Sequence, residues 1–393
     1  MAEGRRYVDV RERRARLAVR HRLAGAARAA TPEEVAGCLV ALHGSDPATV
    51  HLAVAARLTE PAKAVAETER ALYEDRTLVR MHGMRHTVFV FPADLTAVVH
   101  ASTGLAVAAR ERAALLRDMA TAGAPDAAWL AEVEEATLAA LARRGQATAA
   151  ELAADEPRLR ERFVHSAGKS YEGVHTVSTR LLRVLGVEGK VVRGRPLGSW
   201  TSSQFRWAPA PPHPELDVAV AQAALLRHWL RACGPATEAD LKWWTGWTLR
   251  EVRRALAAIG AEEVSLDEGT GYVDAGDAEP VTGPGAPWAA LLPALDPTAM
   301  AWQLRDWYLD PALRPLLFDR SGNVGPTVWW NGRVVGGWAQ RADGEIVWRI
   351  PEEGVRRQAA AEVTAEAERL RDWLGAARVT PRFRTPLERE LTA

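Results

Sequence analysis

One pattern recurs three times along the 393 residues and restricts the fold more than composition does: capped helices followed by a short two-stranded ribbon. In the first copy, "TPEEVAGCLVAL" opens with Thr31 at an N-cap, Pro32 in the first helical position and Glu34 to complete a capping box. The helix is read as running to a break, "HGSDP", after which Asp46-Pro47 announces the next helix. A further helix is expected over about 62 to 73, and "TLVRMHGMRHTVFVF" alternates like two strands about Gly83. The order returns as "GQATAAEL", "TVSTRLLRVLG" and the hairpin "GKVVRGRPLGSWTSSQFRW". It returns again as "GPATEADLKWWTG", "LREVRRALAAIG" and "AEEVSLDEGTGYV". Architecture that repeats with little repetition of sequence predicts tandem winged helices.

The segment "APAPPHP", 208–214, is a stiff linker between the second and third copies. After Gly285 the texture turns strand-like, in "PTVWWNGRVVGGWAQ" and "EIVWRI", with one charged helix over about 353–374. The expected fold is mainly α with small β wings. It comprises a winged helix over 1–92, a second with preceding helices over 93–210, a third over 211–278, and a C-terminal β-barrel-like α+β module over 279–393.

Net charge is zero, so binding of a polyanion has to come from local segregation of charge. Only four of the 50 basic residues are lysines, an arginine excess that GC-rich coding also produces. Cys38 and Cys233 fit no metal or redox spacing and read as buried thiols in a reducing compartment. The N-terminus lacks the apolar stretch of a signal peptide, and no run of about 18 apolar residues could span a bilayer. The expected address is cytoplasmic, with no membrane partner.

Charge separates the three ribbons. The first carries Arg80 and Arg85. The second carries Lys190, Arg193, Arg195 and Arg206 beside Trp200, Ser202, Ser203 and Gln204, whereas the third carries Glu262, Glu263, Asp267 and Glu268. With Arg158, Arg160, Arg162 and Lys169, basic residues outnumber acidic ones roughly threefold over 158–206, as they do in the first 30 residues. The N-terminal helix and the first two ribbons are thus candidates for a DNA or RNA surface, against the alternative of a solvated arginine face. In "KWWTGW", two tryptophans are expected to pack the third copy against its neighbours, with base stacking the lesser reading.

A corner alone explains Asp46, an ordinary cap before Pro47, but not His43. Structural use of a lone histidine near a helix end is the ordinary case, and no histidine pair has zinc-ligand spacing, so neither metal nor cofactor is expected.

The residues also carry a resemblance. The segments "RRYVDVRERRARLAVRHRL", "HGSDPATVHLAVAARL", "LVRMHGMRHTVFVFP", "VVRGRPLGSWTSSQFRW", "GPATEADLKWWTGW" and "LLPALDPTAM" together resemble the winged-helix DNA-binding family that contains the AlkZ and YcaQ DNA glycosylases, nearly end to end. The resemblance implies three tandem winged helices and a C-terminal β-barrel around duplex DNA, and removal of bulky or simple N-alkylated purines. The expected protein is a nucleoid-associated monomer that needs no obligate protein partner. The family's catalytic signature is Gln-x-Gln, or Gln-x-Asp; here His43 falls on the first Gln and Ser45 on the second, with Asp46 next. A purine alkylated at N7 or N3 leaves as a cation without further protonation. The site then has to place a water and stabilise an oxocarbenium-like sugar, for which Asp46 and His43 are suitable types and Ser45 a helper. The alternative is a non-catalytic DNA-binding or regulatory protein that kept the scaffold and lost the glutamines.

Overall fold

The computed structural model describes residues 5–123, 126–166, 168 and 172–393; Lys169 lies outside them. The first helix, α1 (Val10–Arg20), starts where Asp9 Oδ1 accepts the Glu12 N–H at 2.7 Å. Its arginines do not form the nucleic-acid surface that their density suggests. Arg13 and Arg16 are only 3% and 1% exposed. Arg13 pairs with Glu268, Arg16 with Glu12 and Asp277, and Arg20 with Asp277. The acidic third ribbon and Asp277 just after it, with Glu12 of the helix itself, neutralise Arg13, Arg16 and Arg20, and Tyr7 and Ser265 are joined there by a parallel bridge. Two segments of opposite charge, far apart in sequence, have found each other.

The first copy contains α2 (Pro32–Cys38), α3 (Pro47–Ala55) and α4 (Ala64–Tyr73), then a ribbon. Helix α2 ends sooner than its sequence suggests. Val40 takes a left-handed φ of 65°, and Leu42–His43 form a short strand, β1. It pairs antiparallel with the ribbon, whose strands are β2 (Leu78–His82) and β3 (Val88–Pro92), in the order β1-β3-β2. The register sets Leu42 opposite Val90 and His43 opposite Phe89. A short apolar run does not distinguish helix from strand, and here the open edge of β3 decides.

The second copy holds the helices Ala149–Asp155 and Val177–Val187 and the ribbon Val191–Pro196 with Phe205–Pro209. An additional hairpin, Arg162–His165 with Gly173–Thr176, lies between its helices. The third copy has the helices Val218–Cys233, Glu238–Thr245 and Leu249–Ile259 and the ribbon Glu262–Leu266 with Gly269–Val273. Thr237 with Asp240 and Thr248 with Glu251 make reciprocal capping boxes, which start these short helices where the sequence signals them.

The C-terminal part does not close into a barrel. It is an open, four-stranded antiparallel sheet of Ala289–Leu292, Thr327–Trp330, Arg333–Gln340 and Ile346–Arg349, in chain order. The helix Glu353–Leu374 covers it, sending Val355, Ala359, Val363 and Ala367 into one cluster with Val328, Val335 and Trp338. A sheet whose apolar face is covered by a helix has no need to curl onto itself. The whole is therefore a mixed α and β chain with small sheets, not a mainly α one ending in a barrel.

The largest apolar cluster runs from Leu17 through Phe91, Trp229, Trp244, Trp302 and Trp329 to Leu387. The second copy has a cluster of its own, from Leu115 to Trp207. Among the described residues, no helix is long and apolar enough to cross a membrane.

Candidate functional site

Strand β1 places His43. The imidazole meets Phe89 edge-on, with ring centroids 5.4 Å apart. Behind it the chain runs flush against β3: the Gly44 N–H donates to the Val88 carbonyl at 2.8 Å, and a Cβ at Gly44 would sit 3.2 Å from the Phe89 backbone. The Ser45 N–H points at His43 Nδ1, 3.5 Å away, a long contact that favours the tautomer with its proton on Nε2. Burial, with the Arg85 charge adding to it, lowers the His43 pKa to about 4. The ring is neutral at physiological pH.

His43 lines a cavity of about 590 Å³ built from three distant parts of the chain. The first copy gives His43, Arg85 and Phe89, the third gives Trp243 and Trp244, and the segment after Asp296 gives Gln303, Arg305, Arg314, Phe318 and Asn323. The Arg85 guanidinium lies 4.2 Å from the Trp243 ring centroid, and Arg305 lies 5.2 Å from the same ring. Trp244 and Trp247 are buried as packing residues, while Trp243 is only partly buried and carries these two cations. Among the described residues, no Asp or Glu lines this cavity.

Asp46 faces elsewhere. Its Oδ1 accepts the Ala48 N–H at 3.2 Å as the cap of α3, and its Oδ2 accepts the Arg382 N–H at 3.0 Å. It borders a separate narrow cleft with Thr49, Gln340 and Pro381. The structure thus brings His43, but not the Asp46 carboxylate, to the large cavity. Asp46 is used twice over for backbone donors, once as an ordinary helix cap and once for a segment far along the chain. The Ser45 carbonyl accepts from Arg382 Nη1 at 3.3 Å, so the C-terminal segment holds the break from behind.

The arginines and polar residues expected on the nucleic-acid face divide sharply. Arg80 is 4% exposed, and among the described residues its Nε and Nη2 have no hydrogen-bond partner. Arg193 Nε also has none; its guanidinium lies 4.5 Å from the Phe205 centroid, and its pKa falls to about 10 through burial and the charges of Arg80, Arg382 and Arg183. Trp200 packs on His51 at 5.3 Å and on Trp373 at 5.6 Å. By contrast Lys190 pairs with Glu134 and Glu188, Arg195 with Glu69 and Glu74, and Arg206 with Glu151. Ser202 Oγ accepts the Gln204 N–H at 3.2 Å, an internal turn contact, and Gln204 is exposed. Arg305, Arg314 and Arg382 were not anticipated, since nothing local in sequence marks which arginine reaches a cavity made by distant segments.

The family described as DNA glycosylase AlkZ-like matches residues 36–373, and the chain belongs to it. DNA is the partner that membership implies. Among solved structures the chain resembles the Streptomyces sahachiroi DNA glycosylase AlkZ, with a TM-score of 0.68 at 20% identity over 92% of this chain and 97% of that one, a likeness of fold. No curated protein matches the sequence.

Proposed function

We propose that the protein is a monofunctional DNA glycosylase that removes alkylated or bulky modified purines from duplex DNA, with water as the nucleophile, and that it works as a monomer through three winged helices. The observation that carries this reading is the position of the "HGSDP" break between two unlike surfaces. On one side is the 590 Å³ cavity, large enough for an extruded base. On the other are arginines without acidic partners among the described residues, Arg80 and Arg193, to which Arg382 is linked by proximity to Arg193 and by its contact with Ser45. Phosphates on the cluster and a base in the cavity would put the sugar at His43.

In this reading the neutral His43 donates from Nε2–H to the departing base or to the attacking water. Ser45 orients the ring through its backbone N–H. Asp46 acts by position, capping α3 and tying the break to the C-terminal segment. Incubation with duplexes holding N7-alkylguanine or 1,N6-ethenoadenine, followed by a count of abasic sites, tests it. His43→Ala should abolish the product and His43→Gln, which restores the family's first glutamine, should retain some. The second reading, a non-catalytic DNA-binding or regulatory protein, is favoured by the loss of both signature glutamines at 43 and 45. Tight duplex binding without any abasic product would select it.

A further inference from the structure

The cavity has a charge character of its own. A site that binds a positively charged base usually offers it a carboxylate or an aromatic face left open to the cation. Here no described lining residue is Asp or Glu, and three arginines line the wall. Asp306, which pairs with Arg314, is not part of the lining. Neither Arg85 nor Arg305 has a carboxylate partner among the described residues, and Arg305 Nη2 is anchored to the Trp302 carbonyl at 2.8 Å. Both cations already lie against Trp243, so the ring that could have attracted a cationic base is occupied by protein cations. Of the two titratable groups at the break, Asp46 is turned away to the Ala48 and Arg382 N–H groups, and His43, which lines the cavity, adds an N–H donor and no negative charge.

We infer that this cavity selects modified purines that carry no positive charge, and works against bases made cationic by alkylation at N7 or N3. The inference rests on reading the cavity as the base pocket. Its chemistry is consistent with the donors present. When a neutral purine departs, the pair of electrons of the C1′–N bond goes with the base, the oxygen of water bonds to C1′, and a proton from that water ends on the base. Until the proton arrives the base is an anion. The N–H groups of Arg85, Arg305 and His43 are of the type that stabilises it. For a base that is already a cation, the same guanidinium groups are repulsive in the bound state.

The test separates charge from shape. Two duplexes carry, at one position, 7-methylguanine on a 2′-fluoroarabino sugar that resists cleavage, or 7-methyl-7-deazaguanine, which has nearly the same outline and no charge. Affinities are read by fluorescence anisotropy against the unmodified duplex. The expected result is that the neutral isostere binds about tenfold tighter than the cation, and that Arg305→Met narrows this ratio while Arg305→Lys keeps it. If both lesions bind better than unmodified DNA and the cation binds as well or better, the inference fails and the base pocket stands. Should neither lesion be distinguished from unmodified DNA, no base enters the cavity and the reading beneath the inference fails with it. Because the readout is binding to DNA that is not cut, an inactive enzyme does not confuse the outcome.

Discussion

The backbone N–H of Arg382 donates to Asp46 Oδ2 at 3.0 Å, joining residues 336 positions apart. The contact makes Asp46 a clasp as well as a cap. An asparagine there could still cap α3, but its amide cannot present an acceptor to both N–H groups. Asp46→Asn is therefore expected to lower stability by about 1 kcal/mol and Asp46→Ala by about 2 kcal/mol, read from urea unfolding. Excision by Asp46→Asn should stay within about tenfold of wild type; a loss of 10² or more would return the carboxylate to the chemistry.

The split among the arginines predicts a matching split in salt dependence. Arg193→Ala should reduce the slope of log K against log salt by about 0.9, the loss of one phosphate contact. Arg195→Ala should leave the slope unchanged, because Glu69 and Glu74 already hold that side chain. Equal effects of the two variants would show that the ion pairs do not persist on DNA.

Arg57 and Asp296 form an ion pair with both side chains fully buried, through two N–H···O contacts of 2.8 and 2.9 Å. Arg57 also donates to the His21 and Ala53 carbonyls and to Thr298 Oγ1, so each of its guanidinium N–H groups has an acceptor. The pair ties the end of α3 to the segment that forms the cavity wall. Asp296→Asn leaves a buried guanidinium charge uncompensated and should lower stability by about 3–5 kcal/mol. A loss under about 1 kcal/mol would mean that water reaches the site.

Acid should unfold the protein through its buried histidines. Burial, with nearby arginines adding to it, lowers the pKa of His21, His51 and His82 to about 3 and of His43 to about 4. The unfolded chain takes up these protons near pH 6.5, so their contribution to stability is complete above that pH and is lost as pH falls below it. Each site adds up to about 1.4 kcal/mol per pH unit to the decline. The melting temperature should fall steeply between pH 6 and 5, and a His51→Gln variant should show a shallower fall. A melting temperature that is flat over that interval would contradict the burial of these rings.

What could be read from the sequence is what neighbours in sequence decide. Thr31 and Asp46 cap their helices as expected, and all three ribbons follow their helices in the expected order. The short strand at His43 was hidden, because only the edge of β3 makes Leu42–His43 extended. The fate of each arginine was equally hidden. Arg193 and Arg195 are two residues apart on one strand, yet one lies over Phe205 with no acidic partner among the described residues and the other meets Glu69 of α4 and Glu74 just past its end. The cavity depends on residues from 21 to 323, and no window along the chain contains it.

The separate apolar cluster of the second copy has a consequence for where substitutions are felt. Leu115, Leu181 and Trp207 pack among themselves, apart from the tryptophan-rich core that binds the ends of the chain together. Substitutions at Val191 or Trp207 therefore act first within that cluster, and not at Trp229, Trp302 or Trp329. The cavity residues Trp244 and Ala301, by contrast, belong to the core that joins Leu17 to Leu387, so a change there is felt at both ends of the chain.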